Sequence, residues 1–247
     1  MAVREQINPA KIPLHIAVIM DGNGRWAKQK GKLRVFGHQS AIKAVRDTTE
    51  GAAEIGVKYL TLYAFSTENW SRPKKEVDAL MELLVHTIAK EKPTLNKNDI
   101  RLLAIGNLPS LPRKCYAELM EAIEDTRNNK RMSLILALSY SARWEITAAV
   151  KTIAEKVKSG ELKTNDINEQ LISDNLTTHG IPDPELMIRT SGEYRISNYL
   201  LWQLAYAELY FTEKLWPDFR REDLFEAIAD YQKRERRFGL VSEQLVK

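Results

Sequence analysis

The chain has 247 residues, 44% of them apolar, a single cysteine and a net charge of +4. That length and apolar content suit one large α/β domain with a sizeable core. The lone Cys115 excludes an intramolecular disulfide and a cysteine-based zinc cluster, which fits a reducing, cytoplasmic compartment. Lysines and arginines are interspersed with acids, so a nucleic-acid partner, which needs a concentrated basic stripe, is not expected. An anionic small molecule explains the mild excess of base more economically. Residues 1–13 lack the apolar core of a signal peptide, and no apolar run reaches the roughly 18–20 residues that span a bilayer. A soluble chain, at most peripheral to a membrane, is the expectation.

Six short, mostly continuous apolar runs read as buried strands: 16–20, 59–65, 100–105, 133–138, 186–189 and 205–211. Helical patterns alternate with them. Ala41, Val45, Thr48, Ala52 and Ile55 recur at helical spacing until Gly56. Residues 77–92 carry Leu80, Leu83, Leu84 and Ile88 on one face, and Pro93 is expected to end or kink that helix. Further helices are expected over 113–128, 144–157, 166–176 and 223–238. No composition break, repeat or low-complexity tract divides the chain, and the polar stretch 158–165 has the length of a loop. The expected fold is one domain over 1–247. It is a single open, mostly parallel six-stranded α/β sheet, covered by helices on both faces and joined by right-handed crossovers.

The first strand runs directly into Asp21-Gly22-Asn23-Gly24-Arg25, with a helix-compatible segment opening at Trp26. A strand, a glycine-bearing turn and a helix start form an anion site: glycines admit close approach and positive φ, and the first helical turn offers free N–H groups and a positive dipole end. Neither GxGxxG nor GxxxxGK[ST] is present. A tight hairpin turn is the competing reading, and it is disfavoured because no return strand follows Trp26. An acid beside a phosphate site implies a hard cation between them, for which Mg²⁺ is the usual choice.

In open α/β sheets ligands bind beyond the carboxyl ends of the strands. Three turns would meet there. They are 21–25, then 66–73 with Ser66, Thr67, Glu68, Asn69, Trp70 and Arg72, then 190–198 with Arg195, Ile196 and Ser197, preceded by Arg189 at the strand end. Arg34 and His38 follow the first turn and can join it. Several arginines on one rim suit more than one phosphate, because each guanidinium can fork across two oxygens. Taken singly, each residue has a plainer reading. Arg34 or Arg72 is a surface charge, His38 a polar residue at a helix start, Ser66 an N-cap and Trp70 packing. Glu208, inside the apolar run 205–211, either needs a partner or faces solvent. The convergence of three loops carries the argument.

The blocks HIAVIMDGNGRWAK (15–28), FGH (36–38), LTLYAFSTENWSRP (60–73) and IRTSGEYRISNYLLWQLAYAELYFTEKLWPDF (188–219) resemble the cis-prenyltransferases, nearest their bacterial undecaprenyl-forming members, over about 15–239. The resemblance implies Mg²⁺-dependent, sequential condensation of isopentenyl diphosphate onto farnesyl diphosphate, with an apolar product tunnel. The expected product is an eleven-unit cis-polyprenyl diphosphate, a lipid-carrier precursor for cell-wall glycans. The DDxxD motif of trans-prenyltransferases is absent here, as in that family.

By resemblance, Asp21 handles Mg²⁺ and the allylic diphosphate, with Glu208 at a second Mg²⁺ position. Gly22, Asn23, Gly24, Arg25, Trp26, Arg34 and His38 form the allylic site. Residues 66–72 match a mobile loop in which Asn69 is assigned proton removal; an amide is a poor base, so orienting a water or a diphosphate oxygen is the better role. Arg189, Arg195 and Ser197, with Ile196 between, match the isopentenyl diphosphate site. Arg237 and Gly239 match a C-terminal element that reaches the partner's site in a homodimer. Release of a lipid product implies transient membrane contact at the inner face of the membrane. Ala41, Val45, Leu84, Ile88, Met132 and Leu134 are candidates for the tunnel lining, or are plain core. Two departures stand out. Ser139-Tyr140-Ser141-Ala142-Arg143 replaces a frequent Asn-Tyr-Gly-Gly-Arg, and Tyr194 stands where a histidine is frequent, which puts any imidazole contribution to metal binding there in doubt. Rival readings are a non-catalytic partner subunit, which would lack the aspartate and the arginine loops, and a phosphatase or nucleotide-binding enzyme using the same cradle.

Overall fold

The computed structural model describes residues 3–237 and 241. Six strands form one sheet: β1 (His15–Ile19), β2 (Tyr59–Ser66), β3 (Ile100–Ile105), β4 (Met132–Tyr140), β5 (Leu186–Arg189) and β6 (Glu208–Phe211). Their order is β3-β4-β2-β1-β5-β6 and every pairing is parallel. The chain builds outward from β1 in one direction through β2, β4 and β3, then returns to place β5 on its other side. β1 is therefore the switch point, and the crevice at its carboxyl end is where an open sheet holds a ligand.

The helices are α1 (Val3–Gln6), α2 (Asn23–Gln29), α3 (Arg34–Ile55), α4 (Lys74–Lys97), α5 (Arg113–Thr126), α6 (Ala142–Lys158), α7 (Glu169–Asp174) and α8 (Arg221–Tyr231). Several boundaries depart from the sequence reading: β6 starts at Glu208 rather than 205, α7 is shorter than 166–176, and three helix ends differ for identifiable reasons. α2 opens at Asn23 rather than Trp26. α4 runs past Pro93 to Lys97. Proline forfeits one hydrogen bond, but Leu95 is buried just beyond it, and Lys92 pairs with Glu121 and Asp125 of α5 at 2.7 Å each. α8 stops at Tyr231 rather than running to 238. Past it, Arg234 pairs with Glu208 (3.0 Å) and Arg236 with Glu185 (2.7 Å), tying the chain back to the sheet edge.

Alternate residues of each strand feed opposite faces. Ile16 and Val18 point to the face covered by α3, α4, α5 and α8; Ala17 and Ile19 point to the other. The first face holds a cavity of about 130 Å³ between α3, α4 and the sheet, lined by Met20, Val45, Leu62, Leu84, Ile88 and Leu134 among others. Ala41 and Met132, expected in that lining, are buried in the surrounding core instead. The second face is filled. Tyr63 stacks on Tyr199 at 4.3 Å, and Tyr140 meets both edge-on at 6.1 Å. Their hydroxyls donate to the Tyr140 carbonyl, the Thr61 carbonyl and the buried Glu145 of α6, respectively for Tyr63, Tyr199 and Tyr140. Turn-rich chain around Tyr199, Leu200 and Leu204 shares this face with the helices.

Candidate active site

Asp21 leaves β1 at the switch point. Its N–H donates to the Thr190 hydroxyl (2.9 Å), and that hydroxyl donates to the Asp21 carbonyl (2.7 Å). The Trp216 N–H donates to the same carbonyl (3.0 Å). The backbone is thus pinned from two sides before the carboxylate does anything. Gly22 caps α2 in the left-handed region (φ +107°), and a Cβ there would lie 2.9 Å from Leu215 Cδ2 and 3.1 Å from its Cα. Only glycine fits. Gly37 lets α3 approach α2 so closely that a Cβ would collide with the Asn23 carbonyl.

The Asp21 carboxylate accepts from the Gly22 N–H (2.7 Å) through Oδ1 and from Arg189 Nη2 (2.9 Å) through Oδ2; Arg25 lies 3.9 Å from Oδ2. The Arg189 side chain is only 3% exposed. Its other arm donates to the Ser197 hydroxyl (2.7 Å) and to the Arg195 carbonyl, while its buried Nε has no partner among the described residues. A buried guanidinium with one carboxylate oxygen for company is an incomplete anion site. The loop around it is under strain: Ser191, Ser197 and Asn198 take φ of 86°, 47° and 59°. Backbone held this way by non-glycine residues is a common mark of functional loops.

Glu193 bridges Arg25 (3.0 Å) and Arg195, and Glu76 accepts from Arg72 (3.1 Å) with Arg34 at 3.8 Å. These carboxylates hold the arginines toward the crevice and compensate their charge. Burial, then the positive charge of Arg72, pushes His38 down to about 4, so it stays neutral at pH 7. Its Nδ1 faces Asn23 Nδ2 at 3.4 Å, and His38 Nε2 and Asn23 Oδ1 are buried without partners among the described residues. Trp26 is tied through its indole N–H to Asp218 (2.9 Å).

The loop after β2 is a 3-10 turn (Thr67–Ser71) in which Ser66 and Asn69 cap each other, the Ser66 N–H donating to Asn69 Oδ1 (3.1 Å). The Trp70 indole donates to Ser139 (2.9 Å) and packs edge-on against Phe65. Ser139 takes φ 46°, so the serine adopts the left-handed conformation there without glycine. Asn198 joins three loops: Nδ2 donates to Glu68 (2.8 Å), Oδ1 accepts from the Arg143 N–H (3.0 Å), and its carbonyl accepts from the Ala142 N–H (2.8 Å). Burial alone would raise the Glu68 carboxyl, but hydrogen bonds led by that from Asn198 hold it below the usual range.

Two polar clefts result, and they share Asp21. The first, about 640 Å³, is lined by Asp21, Gly22, Gly24, Arg25, Lys28, Arg34 and the turn between α2 and α3. The second, about 460 Å³, is lined by Asp21, Tyr63, Ser66, Glu68, Asn69, Arg72, Ser197 and Asn198. Met20 lines both the second cleft and the apolar cavity under α3 and α4. Two arginine-bearing polar clefts therefore flank one carboxylate, and Met20 borders both one of them and the apolar cavity.

A family model described as "Putative undecaprenyl diphosphate synthase" matches residues 19–239. The chain belongs to the undecaprenyl diphosphate synthase family. An isoprenyl transferase of Chlorobaculum tepidum is 53% identical over 95% of this chain and 88% of that protein. A ditrans,polycis-undecaprenyl-diphosphate synthase of Pasteurella multocida, farnesyl-diphosphate specific, is 49% identical over 95% of this chain and 98% of its own. Among solved structures, lavandulyl diphosphate synthase of Lavandula x intermedia in complex with dimethylallyl diphosphate matches with a TM-score of 0.91. It is 38% identical over 93% of this chain and 99% of that one. A "probable" undecaprenyl diphosphate synthase of Campylobacter jejuni matches at 0.76, with 35% identity over 92% and 98%.

One expected site residue of this family member lies elsewhere in the fold. Glu208 opens β6 opposite Leu186, whereas Ile19, next to the Asp21 turn, is level with Arg189 and Phe211. Three strand residues, roughly 10 Å, separate those levels. Glu208 is instead paired with Arg234, so the fold of one chain does not bring it to Asp21. Among the described residues no group of three His, Cys, Asp or Glu side chains could hold a metal. Arg237 is exposed beside Glu235 (3.0 Å), and Gly239 lies outside the described residues. The sequence reading had no role for Thr190, Glu76, Glu193 and Asn198. Only Glu193 carried a signal, an acid set two residues from an arginine in a phosphate loop.

Proposed function

We propose that this chain elongates a cis-prenyl chain, condensing isopentenyl diphosphate units onto farnesyl diphosphate to give a long-chain, undecaprenyl-type diphosphate. The observation that carries this is the pair of polar clefts sharing Asp21, with the apolar cavity opening beside Met20. An allylic diphosphate fits the first cleft, where Gly22 shapes the turn, Asn23 and Gly24 present N–H groups at the start of α2, and Arg25 and Arg34 face its oxygens. Trp26 and His38 are assigned to the same site. Isopentenyl diphosphate fits the second, held by Arg189, Arg195 and Ser197, with Ser66, Thr67, Glu68, Asn69, Trp70 and Arg72 as its covering loop and Ile196 packed behind.

A lone carboxylate suits Mg²⁺, which keeps waters and takes most of its other ligands from substrate phosphates. Asp21 would hold that ion, which when bound neutralises charge on the departing diphosphate. The allylic C–O bond breaks and its electron pair leaves with the diphosphate, which the arginines stabilise. The isopentenyl double bond attacks the allylic carbon, a diphosphate oxygen takes a proton from C2 of the isopentenyl unit, and the new cis double bond forms between C2 and C3. Asn69 Oδ1 is engaged by the Ser66 N–H, so the amide acts by positioning a diphosphate oxygen rather than as the base. The lengthened chain enters the cavity lined by Val45, Leu84, Ile88 and Leu134.

The same reading makes 1–247 one catalytic domain of a homodimer, with Arg237 near the partner's site, working in the cytoplasm against the inner face of the membrane. The diphosphate product would serve cell-wall glycan synthesis. Incubation with farnesyl diphosphate, radiolabelled isopentenyl diphosphate and Mg²⁺ tests it: label should move into an extractable polyprenyl fraction, and label that stays wholly aqueous overturns the reading.

A further inference from the structure

Of the stretch joining α2 to α3, only Arg34 has a role in the chemistry above, yet the composition of the whole stretch is unusual. Residues 28–34 are all exposed and comprise Lys28, Gln29, Lys30, Gly31, Lys32, Leu33 and Arg34. Four cations and no acid occupy seven positions. Lys28, Lys30 and Lys32 have no ion pair among the described residues, and the nearest carboxylate to Arg34 is 3.8 Å away. Leu33 is 74% exposed, the most of any large apolar residue among those described, and Phe36 beside it is 43% exposed. Lys30 Nζ sits 5.8 Å from the Trp26 ring centre and Lys32 Nζ 5.7 Å from that of Phe36, so cationic and apolar groups are interleaved on this exposed stretch.

We propose that this turn docks the enzyme on an anionic lipid bilayer, with the three lysines at the headgroup phosphates and Leu33 and Phe36 in the interface. Charge complementarity selects the occupant: clustered lysines seek an anionic leaflet, and exposed apolar side chains among them favour a surface with an apolar interior. The turn is also the outer wall of the first diphosphate cleft. Docking there sets that cleft at the level of lipid phosphates and lets a long apolar chain leave without crossing water. The reason for docking rests on the proposed function, but the test does not.

A second basic region lies at the amino end of the sheet, where Lys58, Arg101, Lys130 and Arg131 line one cleft beside Leu14. Two of its cations are already engaged. Arg101 donates to Ser133 (2.9 Å) and Arg131 to the Ala53 carbonyl (3.2 Å). It serves as the control.

The full chain, without substrates, is sedimented with phosphatidylglycerol-containing vesicles and with pure phosphatidylcholine vesicles. The proposal expects binding to the anionic vesicles alone, weakened by salt. Each lysine is worth about fivefold in partition, so Lys30→Gln with Lys32→Gln should lower it roughly 25-fold. Leu33→Ser should lower it separately, while Lys58→Gln with Lys130→Gln leaves it unchanged; circular dichroism checks that each variant is folded. Equal binding to neutral vesicles, no binding to anionic ones, or loss only in the Lys58/Lys130 variant overturns the proposal. Condensation assayed in detergent keeps the two readings apart. A chain that makes product yet ignores vesicles loses the docking and keeps the function, and the opposite pair of results does the reverse.

Discussion

The two clefts that meet at Asp21 are built in opposite ways. The first comes from one contiguous stretch, a strand end, a glycine cap and a helix start, with exposed arginines around it. The second is assembled from loops after β1, β2 and β5, and two of its lining residues, Asp21 and Ser197, are held by an arginine that is 3% exposed. In the first, backbone geometry makes the anion site and the charges are adjustable. In the second, a buried charge makes the site, and the surrounding loops are strained and cross-bonded to hold it. The contrast suits the chemistry proposed. One cleft must release a diphosphate in each cycle, while the other must hold a nucleophile in one orientation.

The largest effect should come from the residue common to both. Asp21→Asn should lower kcat about 10³-fold or more with the fold retained, read by steady-state kinetics beside circular dichroism. A fall of less than tenfold would break the account of a shared carboxylate. Next comes Arg189→Ala, which removes the centre of the second cleft. It should raise the KM for isopentenyl diphosphate at least tenfold and destabilise the fold by about 2 kcal/mol, discounted because Asp21 is partly exposed. Denaturant unfolding together with kinetics checks both, and unchanged KM would sever Arg189 from the substrate.

Gly22→Ala addresses the first cleft through backbone alone. Strain at φ +107° and contact with Leu215 should cost about 1–3 kcal/mol and weaken allylic diphosphate binding with little change in the isopentenyl KM. A smaller effect is expected where the loops are tied. Asn198→Asp keeps the acceptor for Arg143 but sets a carboxylate against Glu68. Amide exchange over residues 66–72 should quicken, and more than in Asn198→Ala. Equal exchange in the two variants would show that the Glu68 contact does not hold the loop.

The smallest effect is a pH dependence. His38 and the buried His15, outside the site, are both lowered to about 4, chiefly by burial. Their neutral forms are favoured by folding, so this stability is complete above the unfolded value near 6.5 and is lost as pH falls toward 4. His38→Gln should flatten part of the decline in thermal midpoint over that window, His15 supplying the rest. An unaltered profile would mean that His38 is not held neutral in the fold.

The same contrast explains what the sequence could tell. A contiguous cleft is legible: strand 16–20, the Asp-Gly-Asn-Gly-Arg turn and the arginine content were all readable in order. A mostly parallel sheet followed from apolar runs alternating with helical spacing, whereas the strand order and the switch point did not. Residues that act across long separations left no local signal. Thr190 pins Asp21 from 169 positions away, and Asn198 reaches Glu68 over 130. Glu208 shows the opposite limit, since an acid in an apolar run signals a partner without saying which. Here the partner is Arg234, set by a chain end that turns back rather than continuing α8. Helix α4 outlasted its proline because tertiary packing outweighed one lost hydrogen bond.

The two-cleft claim is tested most directly by titrating isopentenyl diphosphate into enzyme preloaded with an unreactive thio analogue of farnesyl diphosphate and Mg²⁺, followed calorimetrically. The account predicts one isopentenyl diphosphate bound per chain with the analogue still in place. Arg25→Ala should weaken only the analogue, and Arg195→Ala only isopentenyl diphosphate. Displacement of one ligand by the other, or a single variant that abolishes both while Asp21 is intact, would contradict it.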